Sequence, residues 1–135
     1  MDSTPSPAPG FTDRFDYRVD ILARRNQVVA RAGDRVIART TNALLIDEQD
    51  HGLVFYFPEA DVDFAALVPI DHMTTCPFKG NASHWRLADD DRPAAWTYRV
   101  PHVEVARLAG YVAFYQDVVT VEIGVATPAV VGLSR

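Results

Sequence analysis

Short runs of β-branched and aromatic residues, set at regular spacing between turn residues, fill this chain from Val28 to Ile123. With one small helix among them, they predict a mainly β fold, a compact antiparallel β roll or sandwich. Val28 to Arg31 and Arg35 to Thr40 flank Ala32-Gly33-Asp34, whose glycine can take positive φ, and this predicts a hairpin. The second strand is expected to run on through Ala43-Leu44-Leu45-Ile46-Asp47, before Asp50-His51-Gly52 turns the chain into Leu53 to Phe57. Period-two alternation puts Leu53, Phe55 and Phe57 on one face and Val54 with Tyr56 on the other. Both faces are apolar, which is expected of a central strand. Pro58 ends it, and Glu59 to Ile70 fits either an irregular strand or a short helical turn, since Pro69 argues against a long regular element. Ser83 to Leu87 and Ala94 to Tyr98 predict a strand pair across the acidic turn Asp89-Asp90-Asp91. Pro101 to Ala109 is the short helix, with Glu104 in its first turn, where the dipole favours an anion, and Gly110 just past its end. Tyr111 to Tyr115 and Val118 to Ile123 predict a last hairpin across Gln116-Asp117.

A hydrophobic content of 48% in 135 residues suffices for one packed core, so residues 13–135 are expected to form a single β-rich domain. The Pro/Ser/Ala-rich residues 1–12 bury too little apolar area to offset ordering entropy, and predict a disordered tail. A net charge of −5 with scattered arginines excludes a general nucleic-acid binder, which needs a basic stripe to displace counterions. No polybasic block or long apolar run points to a membrane. The single cysteine cannot form an internal disulfide and no secretory pattern is present, so a cytoplasmic location is expected.

Chemistry concentrates in Thr75-Cys76-Pro77-Phe78-Lys79-Gly80, which holds that cysteine behind a proline, a lysine three residues on, and a turn glycine. Two readings of Cys76 stand. A thiolate activated by Lys79 or by backbone N–H groups would be a nucleophile. A lone cysteine beside a proline is otherwise a small buried hydrophobe, and the absence of any locally paired histidine favours this second reading. Lys79 is either a point charge for an anionic ligand or a solvated loop residue. Glu104, if buried near Cys76, would be a general base. Trp96 and Tyr98 share one strand face, as do Tyr111, Ala113 and Tyr115, while Val112 and Phe114 point the other way. These positions predict a cavity bordered by Cys76, Lys79, Trp96, Tyr98 and Tyr111, taking an anionic or aromatic small molecule. His72, Cys76, His84 and His102 lack the paired-cysteine or H-x-x-x-H spacing of a zinc site, so neither a metal nor a cofactor is expected.

The succession Ala38-Arg39-Thr40, Tyr56-Phe57-Pro58, Asp61-Val62, Thr75 to Gly80, Ala95-Trp96-Thr97-Tyr98 and Gly110-Tyr111-Val112-Ala113-Phe114-Tyr115 resembles a bacterial family, domain of unknown function number 427. That family is sometimes labelled nucleotidyltransferase-like. The resemblance runs over residues 20 to 123 and implies a compact, mostly antiparallel β domain standing alone as a small cytoplasmic protein, with no known reaction. One departure is the pair His84-Trp85, where the family often has two adjacent aromatics. The nucleotidyltransferase label fits the residues poorly. Nucleotidyl transfer needs carboxylates that hold metal ions and a backbone cradle for phosphates, whereas Asp61-Val62-Asp63 has no glycine-serine turn before it and no P-loop string exists. The leading functional expectation is a small-molecule-binding protein, enzymatic or not. The alternatives are a non-catalytic interaction or homodimerisation module and a cysteine-dependent enzyme.

Overall fold

A computed structural model of the chain describes residues 5–124. Ten strands form two antiparallel sheets packed as a β sandwich. The large sheet has the order β1-β4-β5-β9-β8-β7-β6, comprising Val19–Ala23, Leu44–Glu48, Val54–Pro58, Tyr111–Phe114, Pro93–Tyr98, Gly80–Leu87 and Leu67–Cys76. The small sheet has the order β10-β2-β3, comprising Thr120–Ile123, Val28–Ala32 and Arg35–Thr40. Ile37, Ala38, Val28 and Ala30 of the small sheet meet Phe57, Trp85, Ala95, Val112 and Phe114 of the large one, and this is the main core. The opposite face of the large sheet carries a second cluster built on Leu44, Ile46, Tyr56, Ala82, Tyr98 and Ala113, covered in part by Val105 and Leu108. The alternation read along Phe55–Phe57 and Tyr111–Phe114 therefore divides these strands between the two clusters as expected.

The β2–β3 hairpin turns at Gly33, which has φ of +58°. Its second strand does not run on into β4. The Thr40 hydroxyl accepts the Asn42 N–H at 2.9 Å, breaking the strand, and β4 continues in the other sheet. The last two strands are likewise not a hairpin. Both edges of β9 are taken, by β5 and β8, so the chain turns through Tyr115–Val119, buries Val119 between the sheets and pairs β10 with β2.

Glu59 to Ile70 holds two 3-10 turns, Glu59–Asp61 and Phe64–Ala66, and the start of the longest strand, β6. Pro69 lies inside that strand, pairing opposite Trp85. A missing donor is tolerated there because β6 is the sheet's edge. The predicted helix is a 3-10 element, Val103–Leu108, kinked at Val105, with Gly110 at φ of +82° beyond it.

Disorder was expected of residues 1–12; residues 1–4 lie outside the described range, and residues 5–12 are packed. Ala8 and Gly10 are buried, and Gly10–Asp13 forms a single helical turn, α1. The Gly10 N–H donates to the Pro77 carbonyl at 2.8 Å, and Ala8 N–H donates to Glu104 at 2.9 Å. Residues 13–124 are accounted for by these two sheets and their connections, while 125–135 of the expected domain lie outside the described range. Among the described residues no helix is long and apolar enough to cross a membrane.

Candidate functional site

The Cys76 motif is the tip of the β6–β7 hairpin. Cys76 pairs with Gly80, and Pro77, Phe78 and Lys79 form the turn. Gly80 has φ of +121°, a conformation that side chains disfavour, and it lies against the Val100 and Pro101 backbone. The turn is held from the N-terminal side. Phe78 stacks on Tyr17 at 4.0 Å between centroids and meets the edge of Phe11 at 4.9 Å. A Cβ on Gly10 would lie 2.7 Å from the Phe78 ring and 2.9 Å from the Pro77 carbonyl oxygen, so only glycine permits this approach.

This bracing turns Lys79 inward. Its side chain is 8% exposed and its ammonium donates to Glu48, whose side chain is 6% exposed. The second carboxylate oxygen of Glu48 accepts the Tyr17 hydroxyl at 2.6 Å and lies 3.5 Å from His51 Nε2. Burial alone would raise the Glu48 pKa, but hydrogen bonds from Lys79 and Tyr17, with the charges of Lys79 and His51, bring it below the ordinary carboxylate value. The Tyr17 phenol is pushed up to about 12, by burial first and by the Glu48 carboxylate second.

Beside this pair opens a cleft of about 320 Å³ on the face of the large sheet away from the small one. Ile46, Val54, Tyr56 and Trp96 supply its apolar and aromatic walls, and Glu48, Lys79, Cys76 and Tyr98 its polar side. Cys76 Sγ lies 4.0 Å from Lys79 Nζ. Trp96 donates its indole N–H to the Tyr56 hydroxyl at 3.2 Å. The Tyr98 hydroxyl has no hydrogen-bond partner among the described residues, although the residue is only 8% exposed. Burial raises the pKa of both Tyr56 and Tyr98, so both phenols stay protonated.

The five residues expected to border one cavity separate in one respect. Cys76, Lys79, Trp96 and Tyr98 line the cleft, and Tyr111 does not. Tyr111 packs at the margin of the second cluster, with its carbonyl accepting the Thr97 hydroxyl at 2.6 Å. Glu104 is exposed and caps Ala8, so it serves the N-terminal segment rather than Cys76. Glu48 and Tyr17 were not anticipated. The signal for Glu48 was available, because it falls in phase with Leu44 and Ile46 on the apolar face of β4. Tyr17 sits outside any strand and gave none.

Further along the same face lies His84, 2% exposed. Its Nδ1 is 3.0 Å from the His72 carbonyl oxygen, which only accepts, so Nδ1 carries the proton and Nε2 accepts the Tyr115 hydroxyl at 3.0 Å. Burial lowers the His84 pKa and favours this neutral form. Tyr115 in turn packs on Trp96 at 4.5 Å.

Asp63, half of the D-x-D pair, is occupied structurally. It accepts Ala65 N–H at 3.1 Å and pairs with Arg35 at 3.2 Å. Among the described residues no group of three or more His, Cys, Asp or Glu side chains is placed to hold a metal ion. No curated protein matches the chain. A family model described as Domain of unknown function (DUF427) matches residues 20–125, a span from the second residue of β1 to just past the end of β10. That match takes in every strand of both sheets and the whole cleft, and the chain belongs to the DUF427 family.

Proposed function

We propose that the protein binds a small molecule in the cleft beside Cys76, with Trp96 and Tyr56 against its body and Lys79, Tyr98 and Cys76 at its polar end. The observation that carries this reading is the Lys79–Glu48 pair, buried at the wall of an aromatic cleft. A buried ion pair contributes little net stability compared with apolar replacements. Its position at the cleft wall, rather than within the dry core between the sheets, supports a role in recognition. The cleft volume lies at the small end of the range for ligand pockets, roughly 300–1,000 Å³. Because Glu48 neutralises Lys79, the site favours an aromatic occupant over a strongly anionic one.

Cys76 is the only cysteine and lines the cleft, so it reports on occupancy. Alkylation of the native protein by iodoacetamide, run against a panel of aromatic metabolites, tests the reading. Bound compounds are expected to slow alkylation of Cys76. Binders that leave the rate unchanged would place binding elsewhere and overturn it.

The cysteine-dependent enzyme is a second reading, favoured by the 4.0 Å approach of Cys76 Sγ to Lys79 Nζ. The commitment of Lys79 to Glu48 weakens it, since the ammonium is already neutralised. Slow alkylation of the free protein is expected; rapid stoichiometric alkylation at neutral pH would favour the enzyme. An interaction module finds less support, because the exposed apolar residues Phe15, Leu53, Met73 and Ile123 lie on separate parts of the chain.

A further inference from the structure

The hydrogen-bond inventory of the cleft is one-sided. Both oxygens of Glu48 are occupied, by Lys79 and by Tyr17. Lys79 has three N–H groups, of which one is given to Glu48 and one is directed at Cys76 Sγ, leaving a third. Tyr56 accepts from Trp96 and keeps its own proton available. The Tyr98 hydroxyl, on a residue 92% buried by its 8% exposure, lines the cleft with no partner among the described residues. Three donors are therefore spare. No carboxylate oxygen or backbone carbonyl is left over among the groups described here to receive a donor from a ligand, and the local charge of the Lys79–Glu48 pair is zero.

We infer that the cleft selects a planar aromatic compound bearing a carbonyl oxygen, which accepts from the Tyr98 hydroxyl while the ring lies along Trp96. This rests on the proposed binding site and names the chemistry of its occupant. A cationic amine would bring donors to a site already rich in them, and a buried donor without an acceptor is costly. A purely apolar ring would leave the Tyr98 hydroxyl as unsatisfied as it is in the empty cleft.

Three matched probes separate these cases: acetophenone, ethylbenzene and benzylamine, titrated calorimetrically into the wild-type protein and into Tyr98→Phe. The substitution removes an oxygen that holds nothing in the fold, so its thermal unfolding serves as the control that the variant is folded. Acetophenone is expected to bind wild type about five- to tenfold more tightly than ethylbenzene, the equivalent of one hydrogen bond. That advantage is expected to vanish in Tyr98→Phe, and benzylamine to bind most weakly of the three. Equal binding of acetophenone and ethylbenzene, tighter binding of benzylamine, or an advantage that survives in Tyr98→Phe would overturn the acceptor inference while leaving an aromatic cleft intact. Failure of all three probes to bind would overturn both.

Discussion

Along β5, β8 and β9 successive side chains go to opposite faces of the large sheet, and the two faces differ in kind. Toward the small sheet point Phe57, Ala95, Val112 and Phe114, which join a cluster containing no ionisable group. Away from it point Tyr56, Trp96 and Tyr98, which meet Lys79, Glu48 and Cys76 around a cleft. The inner face is sealed by a whole sheet. The outer face is closed only by short pieces: the 3-10 element, the Cys76 turn and the N-terminal segment. Equal alternation along a strand thus yields a packing surface on one side and a partly covered polar-aromatic surface on the other. What covers a face decides which of the two it becomes.

The sharpest way to break that comparison is to damage each face in turn. Phe57→Ala, at a position 0% exposed on the inner face, is expected to cost about 4 kcal/mol in urea unfolding, through lost transfer energy plus a cavity. A cost under about 1 kcal/mol would mean that the inter-sheet core is loosely packed. On the outer face, Glu48→Gln strands the Lys79 ammonium without its counter-charge. The expected loss is about 3 kcal/mol at neutral pH. The sign of its pH dependence follows from the lowered Glu48 pKa. The stabilisation is fully present above the ordinary glutamate value, about 4.3, and is lost as pH falls through the lower folded value. Wild type is therefore expected to lose more stability than Glu48→Gln on acidification below about pH 4. Equal acid sensitivity would contradict the pairing.

Removal of residues 1–12 is a smaller perturbation. It deletes buried Ala8, the Gly10–Pro77 hydrogen bond and the Phe11–Phe78 contact. Together these amount to about 2 kcal/mol, seen as a fall of several degrees in Tm. An unchanged Tm would return the segment to the status of a loose tail and leave Phe78 braced by Tyr17 alone.

Strand alternation was the most legible part of the sequence. Phe55, Phe57, Val112 and Phe114 on one side, and Tyr56, Trp96 and Tyr98 on the other, follow from period two, because a one-residue slip would reverse every side chain. Which strands pair was not legible at the two places where the chain changes sheets. Both the Thr40-Asn42 break and the Tyr115–Val119 turn look like ordinary hairpin punctuation, and only the full occupation of β9 by β5 and β8 forbids a β9–β10 hairpin. Pro69 misled for a related reason, since its cost depends on whether β6 is an edge. The N-terminal segment misled because composition measures what a segment can bury by itself. Gly10 and Ala8 are small enough to fit against a surface that others have already built. In the candidate site, Lys79 and Cys76 were legible as a motif. Its counter-charge was not, because Glu48 lies 31 residues away and Tyr17 outside any strand.

The two tryptophans report on the two faces separately. Trp85 belongs to the cluster between the sheets, and Trp96 stands in the wall of the cleft. Their indole N–H resonances, followed by NMR during titration with an aromatic compound that slows Cys76 alkylation, test the central claim directly. The Trp96 resonance, assigned by its loss in Trp96→Phe, is expected to shift saturably while that of Trp85 stays in place. A shift of Trp85 equal to that of Trp96, or binding that moves neither, would contradict a ligand cleft on the outer face of the large sheet.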